Sequence, residues 1–221
     1  MCGKFTQMMG WGELVTLADM LGASDGPAET VTPMRFATVI CLDHEGKRVA
    51  RRMRWGFVPP DASDPMVGTK HIHARAETIE IKPTFKEAFF NRRGLVVVNT
   101  FNEGKEITPT KTEQYVITPR NRKATAIAVI FDRWERRDEV LETFAMVTVP
   151  PNDLIATITD RMPAVVDDED WPVWLGEREA TVDEIKACLQ TSTLDMDMEK
   201  QGKPPPPPKP PKPEPAQGSL F

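Results

Sequence analysis

A chain of 221 residues, 40% of them hydrophobic, is long enough to bury one core and carry an appendage. Acidic residues outnumber basic ones by 33 to 28, and the formal charge of −5 excludes a wholly basic nucleic-acid binder while leaving room for a local basic groove. The longest apolar runs, "GLVVV" and "AIAVIF", have the size of buried strands, so no membrane span is expected.

The polar start "MCGKFTQ" reads as neither a signal peptide nor a lipoprotein leader. It places a cysteine directly after the initiator methionine. The small side chain at position 2 favours removal of Met1, which leaves Cys2 with a free thiol and a free α-amine on neighbouring carbons. Such an aminothiol does chemistry closed to an internal cysteine, although an incidental Cys2 is the blander reading. The other cysteines, Cys41 and Cys188, complete an odd set without paired or metal-type spacing, which fits a reducing, cytoplasmic compartment.

The elements follow in chain order. "WGELVTLADMLG" sets Leu14, Leu17 and Leu21 on one helical face and stops at Gly22. "RFATVICLDHEGKRVARRMRWGFVP" reads as a hairpin turning at "DHEG". "KPTFKEAFFNRRG" is a short helix with an expected capping box at Thr84 and Glu87, favourable Arg92 and Arg93 in its last turn and a stop at Gly94. "LVVVNTF", "QYVIT", "ATAIAVIF" and "TFAMVTV" read as strands, and "TVDEIKACL" as a closing helix with a capping box at Thr181 and Glu184. Strands arrive in runs without βαβ alternation, so the class is α+β with a mixed, mostly antiparallel sheet closing on itself. Basic clusters at 51–54, 91–93 and 119–123 and acidic ones at 167–170 and 195–199 are solvated faces or the walls of a groove. Residues 1–194 form the expected folded domain, and 195–221 the expected disordered tail, dominated by "KPPPPPKPPKPEP".

"MCGKFT", "RWGFVP", "HARAET", "KPTFKEAF", "RRGLVVVNTFNEG" and "TDRMPAVV" occur in this order and at these distances. Together they resemble the SRAP family of SOS response-associated peptidases and abasic-site processing proteins, over roughly residues 2–190. The resemblance implies a barrel-like SRAP fold with a few short helices. It also implies that Cys2 condenses with the aldehyde of an abasic site in single-stranded DNA and closes a thiazolidine, two nucleophiles acting from one residue. Glu103 falls at the family's catalytic glutamate, where a carboxyl group moves protons during ring opening and imine formation. Arg75 and Arg161 match arginines that grip phosphates, Lys4 stands where an arginine is usual, and Trp55 offers a stacking surface, though a buried core role suits a tryptophan better. No cofactor and no metal are implied, the partner is DNA bearing abasic sites, and a monomer is expected.

Departures from the family pattern fall beside the same cysteine. His73 replaces an asparagine, Thr159 a histidine, Asn102 a tyrosine and Gly104 a tryptophan. Threonine does not exchange protons near neutral pH. Either the domain binds DNA but cross-links poorly, or His73 supplies the imidazole that position 159 lacks; retained cross-linking is expected, because Cys2 and Glu103 both survive. Metal binding through "HIH" would need His71 and His73 on one side of a strand and a third ligand. A non-catalytic DNA-binding module and an N-terminal-cysteine amidase or peptidase remain alternatives. The tail ends in "QGSLF", and Gln217, Leu220 and Phe221 resemble the bacterial sliding-clamp binding motif, displayed beyond a stiff polyproline spacer.

Overall fold

The structure is a computed structural model that describes residues 2–7, 29–120 and 124–202. In chain order the strands are β1 (Lys4–Gln7), β2 (Glu29–Val31), β3 (Phe36–Leu42), β4 (Arg48–Trp55), β5 (His73–Arg75), β6 (Arg93–Val98) and β7 (Thr100–Thr108). They continue as β8 (Lys111–Pro119), β9 (Thr125–Arg136), β10 (Glu139–Val149), β11 (Met162–Pro163), β12 (Val165–Val166) and β13 (Met196–Lys200). Four short helices are interspersed among the described residues: α1 (Pro83–Asn91), α2 (Asp153–Ala156), α3 (Trp171–Leu175) and α4 (Val182–Ala187).

Two sheets result. β10, β4, β3, β6 and β9 pair in that order and β9 returns to β10, so these five strands close into a barrel without free edges. Every step around the barrel is antiparallel except β4–β10, which pairs in parallel through Arg54↔Thr143 and Trp55↔Phe144. The α+β class and the closed sheet are therefore as expected. Closure explains why β9 is buried along its whole first part, Thr125 to Asp132: it is covered on both faces, and its sequence from Ala126 to Phe131 is continuously apolar rather than alternating. The second sheet runs β13-β8-β7-β1-β2, all antiparallel. Its inner face carries Phe5, Phe101 and Ile117 in register, all fully buried in the core shared with Trp55, Phe85, Phe89, Phe144 and Trp174.

The local chemistry accounts for most boundaries. The 36–55 hairpin forms as expected, with Asp43 accepting hydrogen bonds from the Glu45 and Lys47 amides at 2.8 and 2.9 Å to hold its turn. Gly94 is the second residue of β6 and not a helix stop; a side chain there would meet Val39 and the Ile40 carbonyl at 2.7 and 2.9 Å, so the position takes glycine. The capping box forms at Thr181 and Glu184 but not at Thr84 and Glu87. Pro83, with φ preset and no N–H to lose, starts α1 two residues earlier, so Lys82 is the N-cap and Thr84 lies inside the first turn. Arg93 still serves the helix end: its Nη1 donates to the Phe89 and Phe90 carbonyls at 2.8 and 2.7 Å.

Three further expectations are corrected or fall elsewhere. The 195–221 tail does not begin at 195, because Met196–Lys200 pairs with β8 and extends the second sheet. That strand is held by Arg120, which bonds Asp195 and Asp197 across the edge. The helix over 11–22 lies outside the described residues, as do Gln217, Leu220 and Phe221. No described helix is long and apolar enough to cross a membrane.

Candidate active site around Cys2

Strand β1 is an interior strand, bonded to β2 on one side and β7 on the other, and this fixes Cys2 against the end of β7. Lys4 pairs with Asn102, so the residue after Asn102, Glu103, is brought to the chain start. Cys2 is 1% exposed and Glu103 fully buried. The Glu103 carboxylate accepts a hydrogen bond from the backbone N–H of Cys2, the atom that becomes the α-amine once Met1 is gone. Burial nevertheless raises the Glu103 carboxyl to about 7, aided by the negative charge of Asp160. A group poised there exchanges protons at physiological pH.

The Cys2 thiol donates to the Lys4 carbonyl at 3.4 Å. Burial, then the Glu103 charge, push its ionisation far above the ordinary thiol range, so the sulfur is held as S–H. Cys41 and Cys188 are also buried, each raised to about 11, and act as inert core thiols.

His73 faces Cys2 from the other sheet. β5 pairs in parallel with β10, His73 opposite Met146, and the imidazole packs edge-on against Trp55 with centroids 6.0 Å apart. The ring donates an N–H to the Cys2 carbonyl; since Nε2 has no partner among the described residues, the donor is Nδ1. Burial pushes His73 down to about 4, and the Arg161 charge acts in the same direction, so the ring is neutral at pH 7. Cys2 is thus held at both ends of its residue, its nitrogen by Glu103 and its carbonyl by His73. Trp55 is fully buried behind this arrangement, its Nε1 donating to the Ile72 carbonyl at 2.8 Å. It supports His73 from the core.

The two motif arginines behave differently. Arg75 is exposed on β5 and makes no ion pair among the described residues. Arg161 is 8% exposed and donates through Nη1 and Nη2 to the Glu77 carboxylate at 2.5 and 2.9 Å, and through Nη2 to the Thr148 carbonyl at 2.5 Å. Since Thr148 pairs with both Arg75 and Pro163, Arg161 ties β5, β10 and β11 together just behind the site. Thr159 is half-buried after α2, its N–H bonded to the Ile155 carbonyl at 3.0 Å. His71 does not share a strand with His73, because β5 begins only at His73; the His71 ring packs on Phe85 instead. No cluster of three or more metal-ligating side chains occurs among the described residues.

Two neighbours escaped the sequence reading. Gln201 accepts from Lys4 Nζ at 3.1 Å and from Asn102 Nδ2 at 3.5 Å, so the end of β13 reaches over the outer face of β7. Nothing in its sequence context, the edge of a proline-rich stretch, signals this. Glu77 was part of the "HARAET" match, and its partner lies 84 residues away, a pairing that only the fold discloses.

The family model for "SOS response associated peptidase (SRAP)" matches residues 1–201. The chain belongs to the SRAP family. This SRAP chain is 30% identical over 200 residues to the abasic site processing protein YoqW of Bacillus subtilis (strain 168), covering 88% of the chain and 89% of the relative. It is 28% identical over 166 residues to the abasic site processing protein HMCES of Xenopus tropicalis, covering 63% of this chain and 49% of that one. The SRAP fold also recurs in a crystal structure of a Bacteroides thetaiotaomicron protein, with TM-score 0.77 at 22% identity over 91% of this chain and 93% of the other. A Bordetella bronchiseptica protein has the same TM-score at 19% identity, covering 91% and 100% of the two chains.

Proposed function

We propose that this SRAP protein processes abasic sites in single-stranded DNA by cross-linking to them through Cys2 after Met1 is removed. The observation that carries the reading is the hydrogen bond from the Cys2 backbone nitrogen to the buried Glu103 carboxylate. That nitrogen is the nucleophile the chemistry requires, and Glu103 is the proton carrier beside it. An N-terminal amine has an ordinary pKa of roughly 7.7–8.0. Glu103 near 7 draws the proton from the ammonium and returns it to the hydroxyl of the carbinolamine, which leaves as water. The imine so formed then takes the Cys2 sulfur at carbon while the S–H proton passes to nitrogen, closing the thiazolidine with loss of one water overall.

The buried, neutral thiol supports this order, amine first and sulfur second. It speaks against the amidase alternative, in which the Cys2 thiol itself would have to attack an acyl group first, with its own amine as the base. His73, neutral at pH 7, holds Cys2 and accepts hydrogen bonds; a proton shuttle at neutral pH falls to Glu103. Arg75 and Lys4 supply exposed and half-exposed cations for the DNA backbone. The adduct shields the lesion, and the "QGSLF" tail recruits the protein to a sliding clamp at stalled replication, which places it in the cytoplasm with the nucleoid. Mass spectrometry after incubation with abasic and undamaged oligonucleotides tests the reading. A heat-stable adduct with the abasic strand alone is expected, lost in Cys2→Ser and in a chain whose Met1 is retained. A stable adduct in Cys2→Ser, or amide turnover without an adduct, overturns it.

A further inference from the structure

The register across β7, β8 and β13 sets Tyr115 directly opposite Glu103, and Lys200 directly opposite Tyr115. The face they share is the inner one. Phe101 and Ile117, each two residues away on its strand, are a cross-strand pair buried in the core, and side chains two apart share a face. Tyr115 packs against that core while remaining half-buried, and Glu103 is fully buried. Residues directly opposite in an antiparallel pair have β-carbons about 4.5–5.5 Å apart, well within the span of a phenol ring. The ring is also pinned. Its hydroxyl donates to Glu113 Oε2 at 3.5 Å, and Glu113 Oε1 accepts from Lys200 Nζ at 2.7 Å. An ion pair that joins β8 to the end of β13 thus closes on the tyrosine hydroxyl.

Glu103 stands at the boundary with solvent. The burial of β7 stops there: Gly104 and Lys105 are half-buried, and Glu106 to Thr108 are exposed. What lies beside the carboxyl therefore decides whether water reaches it. We propose that Tyr115 is a positioning residue for the reaction at Cys2: its ring, held by Glu113 and Lys200, covers the Glu103 carboxyl and keeps water from it. This rests on the reading of Glu103 as the proton carrier. Two benefits follow. A dry carboxyl keeps its proton to near neutrality, where it can be returned to the carbinolamine hydroxyl. The imine also stands beside no bulk water that could hydrolyse it before the sulfur closes. The other titratable or charged groups about Glu103 are Cys2 and the terminal amine, Asp160 ahead of β11, Lys105 on β7, Glu113 on β8 and Lys200 on β13, with His73 beyond Cys2. Burial outweighs the charges that act on the carboxyl, so the side chain that excludes water matters most.

Tyr115 is the single tyrosine of the chain, so its contacts are read by NMR without ambiguity. In the full-length parent its ring protons should show a nuclear Overhauser effect to the Glu103 γ-methylene. Absence of that effect overturns the cover and needs no variant to fold. The Glu103 carboxyl is then titrated by carbon-13 NMR in the full-length chain that retains Met1, the form to which the value near 7 belongs. Tyr115→Ala should lower the midpoint by about one pH unit, Lys200→Ala by less in the same direction, and Tyr115→Phe should leave it in place. An unmoved midpoint in Tyr115→Ala, or a shift in Tyr115→Phe as large as in Tyr115→Ala, overturns the assignment to the ring. In Met1-processed chains, the rate of cross-linking to an abasic oligonucleotide should carry its inflection toward acid in Tyr115→Ala by the same amount. A carboxyl that moves while the rate profile does not leaves the cover standing. That outcome instead overturns Glu103 as the proton carrier, and with it the proposed reaction.

Discussion

Replacing Glu103 with glutamine should stabilise the fold as it destroys the chemistry. Glutamine keeps an oxygen to accept the Cys2 N–H but carries no charge to bury. The carboxyl is raised from 4.5 to about 7 in the folded chain, which at 1.36 kcal/mol per unit amounts to about 3 kcal/mol of unfavourable ionisation. The sign follows from proton counting. Between the two values the unfolded chain has lost this proton and the folded chain retains it, so stability falls as pH rises from 4.5 and the loss is complete above 7. Glu103→Gln removes that loss. The difference in unfolding free energy between variant and parent should be near zero at pH 4 and grow to about 3 kcal/mol at pH 8, or about 6–12 °C in Tm for a domain of this size. Urea denaturation of chains that retain Met1 matches this shift, since the value near 7 already includes the lowering effect of the chain's terminal amine. A variant less stable than the parent at pH 8, or a difference independent of pH, would show that Glu103 is ionised and well paired, and would remove the basis for its role as a neutral-pH proton carrier.

The two motif arginines should separate in titrations against salt. Arg75→Ala should weaken binding to any sequence and lower the salt slope by about one counterion, whereas Arg161→Ala should leave the slope unchanged and cost about 2 kcal/mol of stability, a value reduced because its partner Glu77 is half in solvent. Equal slopes for Arg75→Ala and parent would place Arg75 outside the DNA path. The tail peptide containing Gln217, Leu220 and Phe221 should bind a cognate bacterial clamp in calorimetry, and a Leu220→Ala, Phe221→Ala peptide should not. No binding by the parent peptide at about 100 μM, roughly −5.5 kcal/mol, would set the clamp aside.

Reading the chain from its residues succeeded where the signal is local. Alternation in "QYVIT", the apolar run of "ATAIAVIF" and the Thr181 capping box all appear in place. Cys2 was conspicuous through position, and Glu103 through its motif. What failed was of longer range or shorter length. The parallel β4–β10 contact that closes the barrel rests on a few residues with no pattern of their own. Strands of two or three residues, such as β5, β11 and β12, are too short to show a period. Composition misplaced the domain end, because Met196–Lys200 is polar on its open face and reads as tail until Arg120 and β8 are seen to hold it. At the site, residue types single out Cys2, Glu103 and His73, which the fold brings into contact, but carry no sign of their burial. Only burial shows that the carboxyl, and not the imidazole, titrates near neutrality, and only geometry shows that one arginine is spoken for while the other faces solvent.

The interior position of β1 also sets a clock. Its partners, β2 and β7, are made after it: Phe101 lies almost a hundred residues downstream of Cys2, about 5–20 s of synthesis at 5–20 residues per second. Until β7 arrives, the first residues have no sheet to join and the Met1–Cys2 bond is open to an aminopeptidase. Afterwards Cys2 is sealed between two sheets with 1% of its surface exposed. On the proposed reading of Cys2 as the nucleophile, its activation is then an event of the nascent chain, and a molecule that folds before losing Met1 stays inactive until it unfolds. Methionine aminopeptidase added to folded, Met1-bearing protein should leave it unprocessed, while the same enzyme acting on the urea-unfolded chain after dilution should release Met1; rapid trimming of the folded form would dissolve the clock.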